Sequence, residues 1–328
     1  MQINKSIVTG ATGFIGRKLA AQLQELGASV LAVSRGRQDG PWEEFVEQDF
    51  NEPLGISLST FDKVDCIFHL AGIAHAESGI FKWEDYYKVN TQATIDLLEA
   101  AGQAGAKKFI FVSSIKASSD PGEECVDESW VKDPSDDYGI SKLLAEQAVI
   151  EISEKYSMDY VIIRPTLVYG PNIKGNLLKM INVIEKGRFP PIPKIANKRS
   201  LIHVDDLCRA IILAATKPEA VGNTYIVSDL KQYSTREIYE AIMKGLDKRV
   251  AKLFIPTFCF IFMAKIGDVL EKILNRKMPL NSVAIDKLFG SACYDARKIK
   301  YHLGFNPTWT LDSAMPRIIE SYRKSIYR

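Results

Sequence analysis

Thr9-Gly10-Ala11-Thr12-Gly13-Phe14-Ile15-Gly16 lies between a short apolar run, Ile7-Val8, and a segment of helical periodicity. Ile7-Val8 is short enough for a buried parallel strand. Leu19, Leu23 and Leu26 then recur on one helical face, with Arg17, Lys18 and Gln22 on the other. Strand, glycine-rich turn and helix in that order make a dinucleotide-binding fingerprint. Gly10 allows the tight turn, Gly13 lets the backbone approach a pyrophosphate, and Gly16 lets the helix pack on the strand. Phosphates would rest on the unpaired N–H groups and positive end of the helix. The cofactor contacts expected here are Gly10, Thr12, Gly13, Phe14, Ile15 and Gly16. The fold class that follows is α/β, a Rossmann-type doubly wound parallel sheet.

The chain has 328 residues, which predicts one large or two interlocked domains. Its 46% hydrophobic and 25% charged residues suit a globular protein. A net charge of +2 without a dense Lys/Arg block speaks against nucleic acid or an anionic membrane as the favoured partner. A small anionic ligand needs only a few local cations. The N-terminus enters the first strand almost at once, so no signal peptide and a cytoplasmic location are expected. Cys66, Cys125, Cys208, Cys259 and Cys293 are scattered and odd in number, which predicts free thiols and no zinc site. The four histidines also lack metal-ligand spacing.

The second strand is predicted at 29–33. A carboxylate at its end would take the adenosine ribose 2′-hydroxyl and select NAD. The sequence reads Ser34-Arg35 there, with Arg37 close behind. A small hydroxyl and a guanidinium suit a 2′-phosphate, so NADP(H) is favoured, with NAD(H) as the alternative. A third strand is predicted over 45–50, placing Asp49 and Phe50 near the adenine; Asp49 could equally cap the following turn. The strand at 65–72 ends in Leu70-Ala71-Gly72, small enough for close cofactor approach, and His69 reads as a packed histidine. Asn90 lies on a core-facing helix, as structural glue or as the holder of an active-site water.

Phe109-Ile110-Phe111-Val112 ends in Ser113-Ser114, where ligands bind in such sheets. Tyr138 and Lys142 are four apart on a helix capped by Ser135 or Asp136, so they share a face. A cation beside the phenol would lower its pKa from about 10 toward neutrality, giving an acid/base group for alcohol–ketone chemistry.

With these elements in order, the chain resembles the extended short-chain dehydrogenase/reductases, the epimerase/dehydratase group acting on nucleotide sugars. Thr9 to Gly16 is similar to that family's TGATGFIG, His69 to Gly72 to its HLAG element, and Val89-Asn90 to its NV/VN helix. Ser114, Tyr138 and Lys142 match its catalytic trio, with Asn90 implied beside a proton-relay water. Arg164-Pro165-Thr166-Leu167-Val168-Tyr169-Gly170-Pro171 is similar to the segment passing under the nicotinamide, which implies Pro165 as a contact. The same resemblance implies Asn176, Arg199, Ser114 and Lys116 on the substrate. Lys287 stands where a second phosphate-binding arginine is common. His203 and Asp205 are expected to be structural, as is the closing element from Tyr294 to Pro307.

The resemblance implies a cofactor domain at 1–171 and 200–230 and a mainly helical substrate domain at 172–199 and 231–328. A homodimer, a UDP-sugar substrate and no metal are also implied. The family's 4,6-dehydratases carry an Asp-Glu pair after the catalytic serine or threonine; Ile115-Lys116 stand here instead. Two enzyme readings follow. One is an NADPH-dependent 4-ketoreductase of a UDP-4-keto-6-deoxy-(N-acetyl)hexosamine, as in surface-polysaccharide synthesis. The other is a 4-epimerase of UDP-hexose or UDP-N-acetylhexosamine with retained NAD. A hydroxysteroid-type dehydrogenase and a non-catalytic NADP sensor are weaker alternatives.

The apolar stretch from Phe254 is too short and too punctuated to span a membrane. Phe258, Ile261, Phe262, Ile266, Val269 and Leu270 recur at helical spacing, which predicts burial or a dimer contact and leaves shallow interfacial binding open.

Overall fold

The computed structural model describes residues 2–73, 81–130, 132–250, 255–274, 276, 278 and 281–326. Strand β1 (Lys5–Thr9) leads through the glycine turn into α1 (Phe14–Glu25), then β2 (Ser29–Ser34), β3 (Glu44–Glu47) and β4 (Cys66–His69). Helices α2 (Trp83–Tyr86) and α3 (Ala93–Gln103) flank a π-helical turn at Tyr87–Gln92, and β5 (Lys108–Val112) follows. Next come the short β6 (Cys125–Val126), α4 (Asp137–Lys155), β7 (Asp159–Pro165) and β8 (Leu167–Tyr169). Helix α5 (Asn176–Glu185), β9 (Arg199–His203), α6 (Val204–Thr216), β10 (Asn223–Val227), β11 (Gln232–Tyr233) and α7 (Thr235–Gly245) precede α8 (Thr257–Leu274). The chain closes with α9 (Ser282–Phe289), β12 (Cys293–Tyr294), α10 (Arg297–Leu303) and α11 (Leu311–Ile326).

Seven parallel strands form the main sheet in the order β3-β2-β1-β4-β5-β7-β10. Alternate side chains serve opposite faces. Val8, Phe68 and Ile110 pack with Leu19 and Ile211 of α1 and α6. Ile7, Ile67 and Phe109 pack with Leu97 and Val149 of α3 and α4. Strand order reverses between β1 and β4, and ligands bind at the carboxyl ends of strands flanking such a point. A separate apolar core gathers α5, α7, α8, α9 and α11 around Ile181, Ile242, Phe260 and Ile318. A three-stranded sheet, β11-β9-β8, lies beside it.

The third strand ends at Glu47 rather than 50, because Gln48 and Asp49 bond locally. The expectation of free thiols fails for two cysteines. Cys125 and Cys293 face each other in the parallel β6–β12 ladder with Cα atoms 4.5 Å apart, and they form a disulfide. They are 168 residues apart, so only the tertiary register pairs them. Cys66 and Cys208 remain buried thiols, whose pKa burial pushes up.

Thr9 and His69 join the two strands at the reversal. Leu70 N and Ala71 N each donate to Thr9 Oγ1 at 3.1 Å. That hydroxyl therefore gives its own proton to His69 Nδ1, at 2.7 Å. Thr94 donates to the Asn90 carbonyl at 2.7 Å, so His69 Nε2–H donates to Thr94 at 2.9 Å. No acceptor is left for a second ring proton, and burial holds the imidazole pKa down at about 3 against an ordinary 6.5. The unfolded chain takes up that proton as pH falls through 6.5 and the folded chain does not, down to about 3. Native stability is expected to drop by about 1.4 kcal/mol per pH unit within that window from this group. Urea melts at pH 7.5, 6.0 and 5.0 test this against His69→Gln. A wild-type pH slope no steeper than the variant's would refute it.

Candidate active site

The glycine turn is shaped for a dinucleotide. Gly10 has φ +66°, donates to Val33 O at 2.8 Å and lies so close to β4 that a Cβ would sit 2.9 Å from Ala71 N. A Cβ on Gly16 would fall on the Gly10 carbonyl oxygen. Gly13 precedes α1 with no side chain capping the helix. That leaves the Phe14 and Ile15 end of α1 facing the turn with its macrodipole unneutralised. This cradle fits a pyrophosphate, and the residues fit an NAD-type cofactor.

At the end of β2, Ser34 is buried and its hydroxyl meets Thr12 Oγ1 at 2.6 Å. Arg35 and Arg37 are exposed, and among the described residues neither has an acidic partner. Asp49 Oδ1 accepts from Asn51 N at 2.9 Å and so caps its turn. The Phe50 ring is buried against His69, 5.7 Å between centroids, so that side chain serves the core. Leu70, Ala71 and Gly72 line the end of β4, and Gly72 packs against Asn90 Oδ1. Pro165 is buried at the end of β7.

Asp136 caps α4 by accepting from Gly139 N at 2.7 Å. Gly139 is needed there, since a Cβ would strike the Lys116 carbonyl oxygen. This close approach sets Tyr138 against the turn that follows β5. The Ser114 hydroxyl hydrogen-bonds the Tyr138 phenol and accepts from Lys116 N at 3.1 Å. Ser113 instead points its hydroxyl into the protein. Lys142 is buried, donates to Val112 O at 3.0 Å and lies 4.3 Å from the Phe111 ring centroid.

The expected depression of the phenol does not occur. Burial dominates and pushes Tyr138 up to about 12, only partly offset by the Ser114 hydrogen bond. The Lys142 ammonium is engaged by Val112, and burial lowers it to about 8. Tyr138 is therefore protonated at neutral pH. Its ring also packs 6.0 Å from Tyr86, a neighbour that sequence reasoning missed.

Asn90 sits in the π-helical turn. Its Oδ1 accepts from Ile73 N at 2.8 Å, and its Nδ2 donates to Ile73 O at 3.1 Å and Ser141 Oγ at 3.0 Å. Ser141 passes the bond on to Tyr138 O at 2.8 Å. Both amide protons are committed, so Asn90 works as structural glue and only an oxygen lone pair could meet a water.

The residues read as substrate contacts divide into two groups. Lys116 Nζ holds both Asp120 oxygens at 2.7 Å. The Asp120 charge also reaches Arg199, whose pKa burial lowers. Arg199 donates from Nε to Thr235 Oγ1 at 3.2 Å and from one Nη2 to the Lys287 and Gly290 carbonyls. Its Nη1 keeps two donors without a partner among the described residues. The structure thus gathers Lys116, Arg199 and the Lys287 backbone, adding Asp120, which the sequence had not singled out. The Lys287 side chain is exposed, and so is Asn176, at the start of α5. His203 is structural: its Nδ1 accepts from Asp205 N at 3.2 Å and its ring stacks on Trp309.

A family model described as the NAD dependent epimerase/dehydratase family matches residues 6–228. The chain belongs to this family. Relatives in the epimerase/dehydratase family include a UDP-glucose 4-epimerase of Vibrio cholerae, 30% identical over 96% of this chain and 94% of that protein. Another, from Escherichia coli O157:H7, is an N-acetyl-alpha-D-glucosaminyl-diphospho-ditrans,octacis-undecaprenol 4-epimerase. It is 25% identical over 96% of this chain and 94% of its own. Among solved structures, MoeE5 in complex with UDP-glucose and NAD superposes with a TM-score of 0.77 at 22% identity, covering 98% of this chain and 99% of that one. Membership makes the protein an NAD(P)-dependent enzyme of the extended short-chain dehydrogenase/reductase type. Among its described residues no helix is long and apolar enough to cross a membrane.

Proposed function

We propose that the protein performs acid/base-assisted oxidoreduction at C4 of a UDP-linked sugar, and specifically the NADPH-dependent reduction of a UDP-4-keto-6-deoxy-(N-acetyl)hexosamine. The observation that carries the direction is the end of β2. No carboxylate follows Ser34, and Arg35 and Arg37 stand exposed without acidic partners among the described residues. That arrangement suits a 2′-phosphate and disfavours NAD. A phenol kept protonated by burial also suits proton donation to a ketone.

When bound, the nicotinamide supplies the hydride. Tyr138 Oη gives a proton to the C4 oxygen, and Ser114 Oγ hydrogen-bonds that oxygen and orients it. Lys142, fixed by Val112, presents a cation toward the nicotinamide ribose. The free Nη1 edge of Arg199 is the donor pair for a substrate phosphate, and Asn176, exposed at the start of α5, is offered as a second contact. Lys116, held by Asp120, stands where a dehydratase would need an acid, which disfavours dehydration. Such a substrate and cofactor fit a cytoplasmic enzyme. The family's homodimer, built around α4, is the assembly this reading assumes.

The second reading is a UDP-hexose or UDP-N-acetylhexosamine 4-epimerase with retained NAD, favoured by the named relatives, both of them 4-epimerases. Releasing and identifying any bound cofactor, then titrating NADPH against NADH, separates the two. Tightly held NAD without NADPH preference overturns the reductase reading. Under that reading, Arg35→Ala is expected to weaken NADPH binding about 10–100-fold while changing NADH binding little. That range is the worth of a charge-assisted hydrogen-bond pair. Equal loss for both cofactors would show that Arg35 does not read the 2′ position.

A further inference from the structure

Helix α8 does not bury the apolar face that its sequence predicts to be covered. Phe260, Ala264 and Gly267 point into the C-terminal core. The opposite face carries Phe258, Ile261, Phe262, Ile266, Val269 and Ile273, and Phe258 and Ile273 are each 71% exposed. At 100° per residue these six share one stripe with Lys265 and Lys272, which are also exposed. Both acids of the helix are turned away. Asp268 accepts from Ser282 N and Oγ at 2.9 and 2.5 Å, and Glu271 accepts from Met278 N and Asn281 Nδ2 at 2.6 and 2.9 Å. Arg276 adds an exposed cation just beyond the helix. The whole-chain charge of +2 hides this local excess.

We propose that α8 lies on an anionic phospholipid surface, with its apolar stripe in the headgroup boundary and Lys265, Lys272 and Arg276 on lipid phosphates. Large aromatic and aliphatic side chains flanked by basic residues are the chemistry of helices that lie in the plane of a bilayer. A second copy of α8 is a poor occupant. Pairing two such faces brings lysines together in an apolar contact, and no acid on the stripe is free to meet them. A lipid phosphate layer supplies both the apolar phase and the counter-charge. The helix behind the docked face is linked to the candidate substrate site through α9. Helix α8 packs on α9, whose Lys287 carbonyl accepts from Arg199.

The test uses the full chain and flotation with vesicles of phosphatidylcholine, with or without phosphatidylglycerol. Binding is expected on the anionic vesicles and should fall at least about tenfold on neutral ones or at raised salt. A Phe258→Ser/Phe262→Ser double variant should lose at least about tenfold of that binding. Its circular dichroism, cofactor binding and solution mass should stay unchanged. Lys265→Glu/Lys272→Glu should weaken only the anionic-vesicle binding. Failure of the wild-type protein to float with any vesicle overturns the proposal. So does equal flotation of the phenylalanine variant, or a fall in its solution mass, which would make the stripe an interface between protein copies.

Discussion

Tyr138→Phe is expected to lower kcat by about 10²–10⁴-fold, the range for loss of a positioned general acid or base. The ring fills the same space beside Tyr86, and only the hydroxyl that meets Ser114 is removed. Cofactor affinity should therefore be unchanged, which separates lost proton transfer from a damaged site. Turnover would be followed as NADPH oxidation with a UDP-4-keto-6-deoxy sugar and as interconversion of UDP-hexose epimers. The wild-type pH profile carries a second mark of the same geometry. Tyr138 stays protonated to about 12, so the group that titrates near working pH is Lys142, at about 8. In the reducing direction kcat/KM should be level below pH 8 and fall above it as the ammonium loses its proton. A variant keeping a tenth or more of wild-type turnover would remove Tyr138 from the chemistry.

Gly16→Val should abolish dinucleotide binding, with affinity reduced at least about 100-fold, and destabilise the fold by about 1–3 kcal/mol through overpacking. The reason is local. An added Cβ meets the Gly10 carbonyl oxygen and the Ala11 Cα, so α1 must move off the turn that aims it. Gly27→Ala is the control. It forces a side chain to φ +85° but meets nothing within 4 Å, so it strains the backbone and leaves the cradle alone. Fluorescence titration of NADPH and urea denaturation read both quantities. Wild-type cofactor affinity in Gly16→Val would mean that the turn does not form the phosphate site.

The order of strands and helices was readable because each depends on local pattern. Ile7-Val8, the run from Phe109 to Val112 and the run from Val161 to Ile163 are apolar enough to be buried on both faces, and the glycines fix the first turn. The Tyr138–Lys142 pair was readable from its spacing together with the glycine fingerprint and the serine pair that precede it. What escaped depends on distant surroundings. The direction of the Tyr138 shift is set by burial and by where the Lys142 ammonium finds its acceptor, and sequence spacing carries neither. Cys125 and Cys293 meet only because two short strands 168 residues apart in the chain pair in register. Asp120 became visible only through the cations around it. The apolar period of α8 reads the same whether its outer face is covered or bare.

The hydrogen bonds around His69 set a length as well as a charge. From Ala71, against Gly10, the links run through Thr9, His69, Thr94 and the Asn90 backbone. They then pass through the Asn90 amide and Ser141 to the carbonyl of Tyr138. This is a caliper spanning the front of the sheet, with the glycine turn at one jaw and the Tyr138 backbone at the other. Its donors and acceptors all run one way, from a backbone N–H to backbone carbonyls, so no link can reverse. Damage to a middle link should therefore appear as lost alignment between bound reactants, with every group that touches them still present.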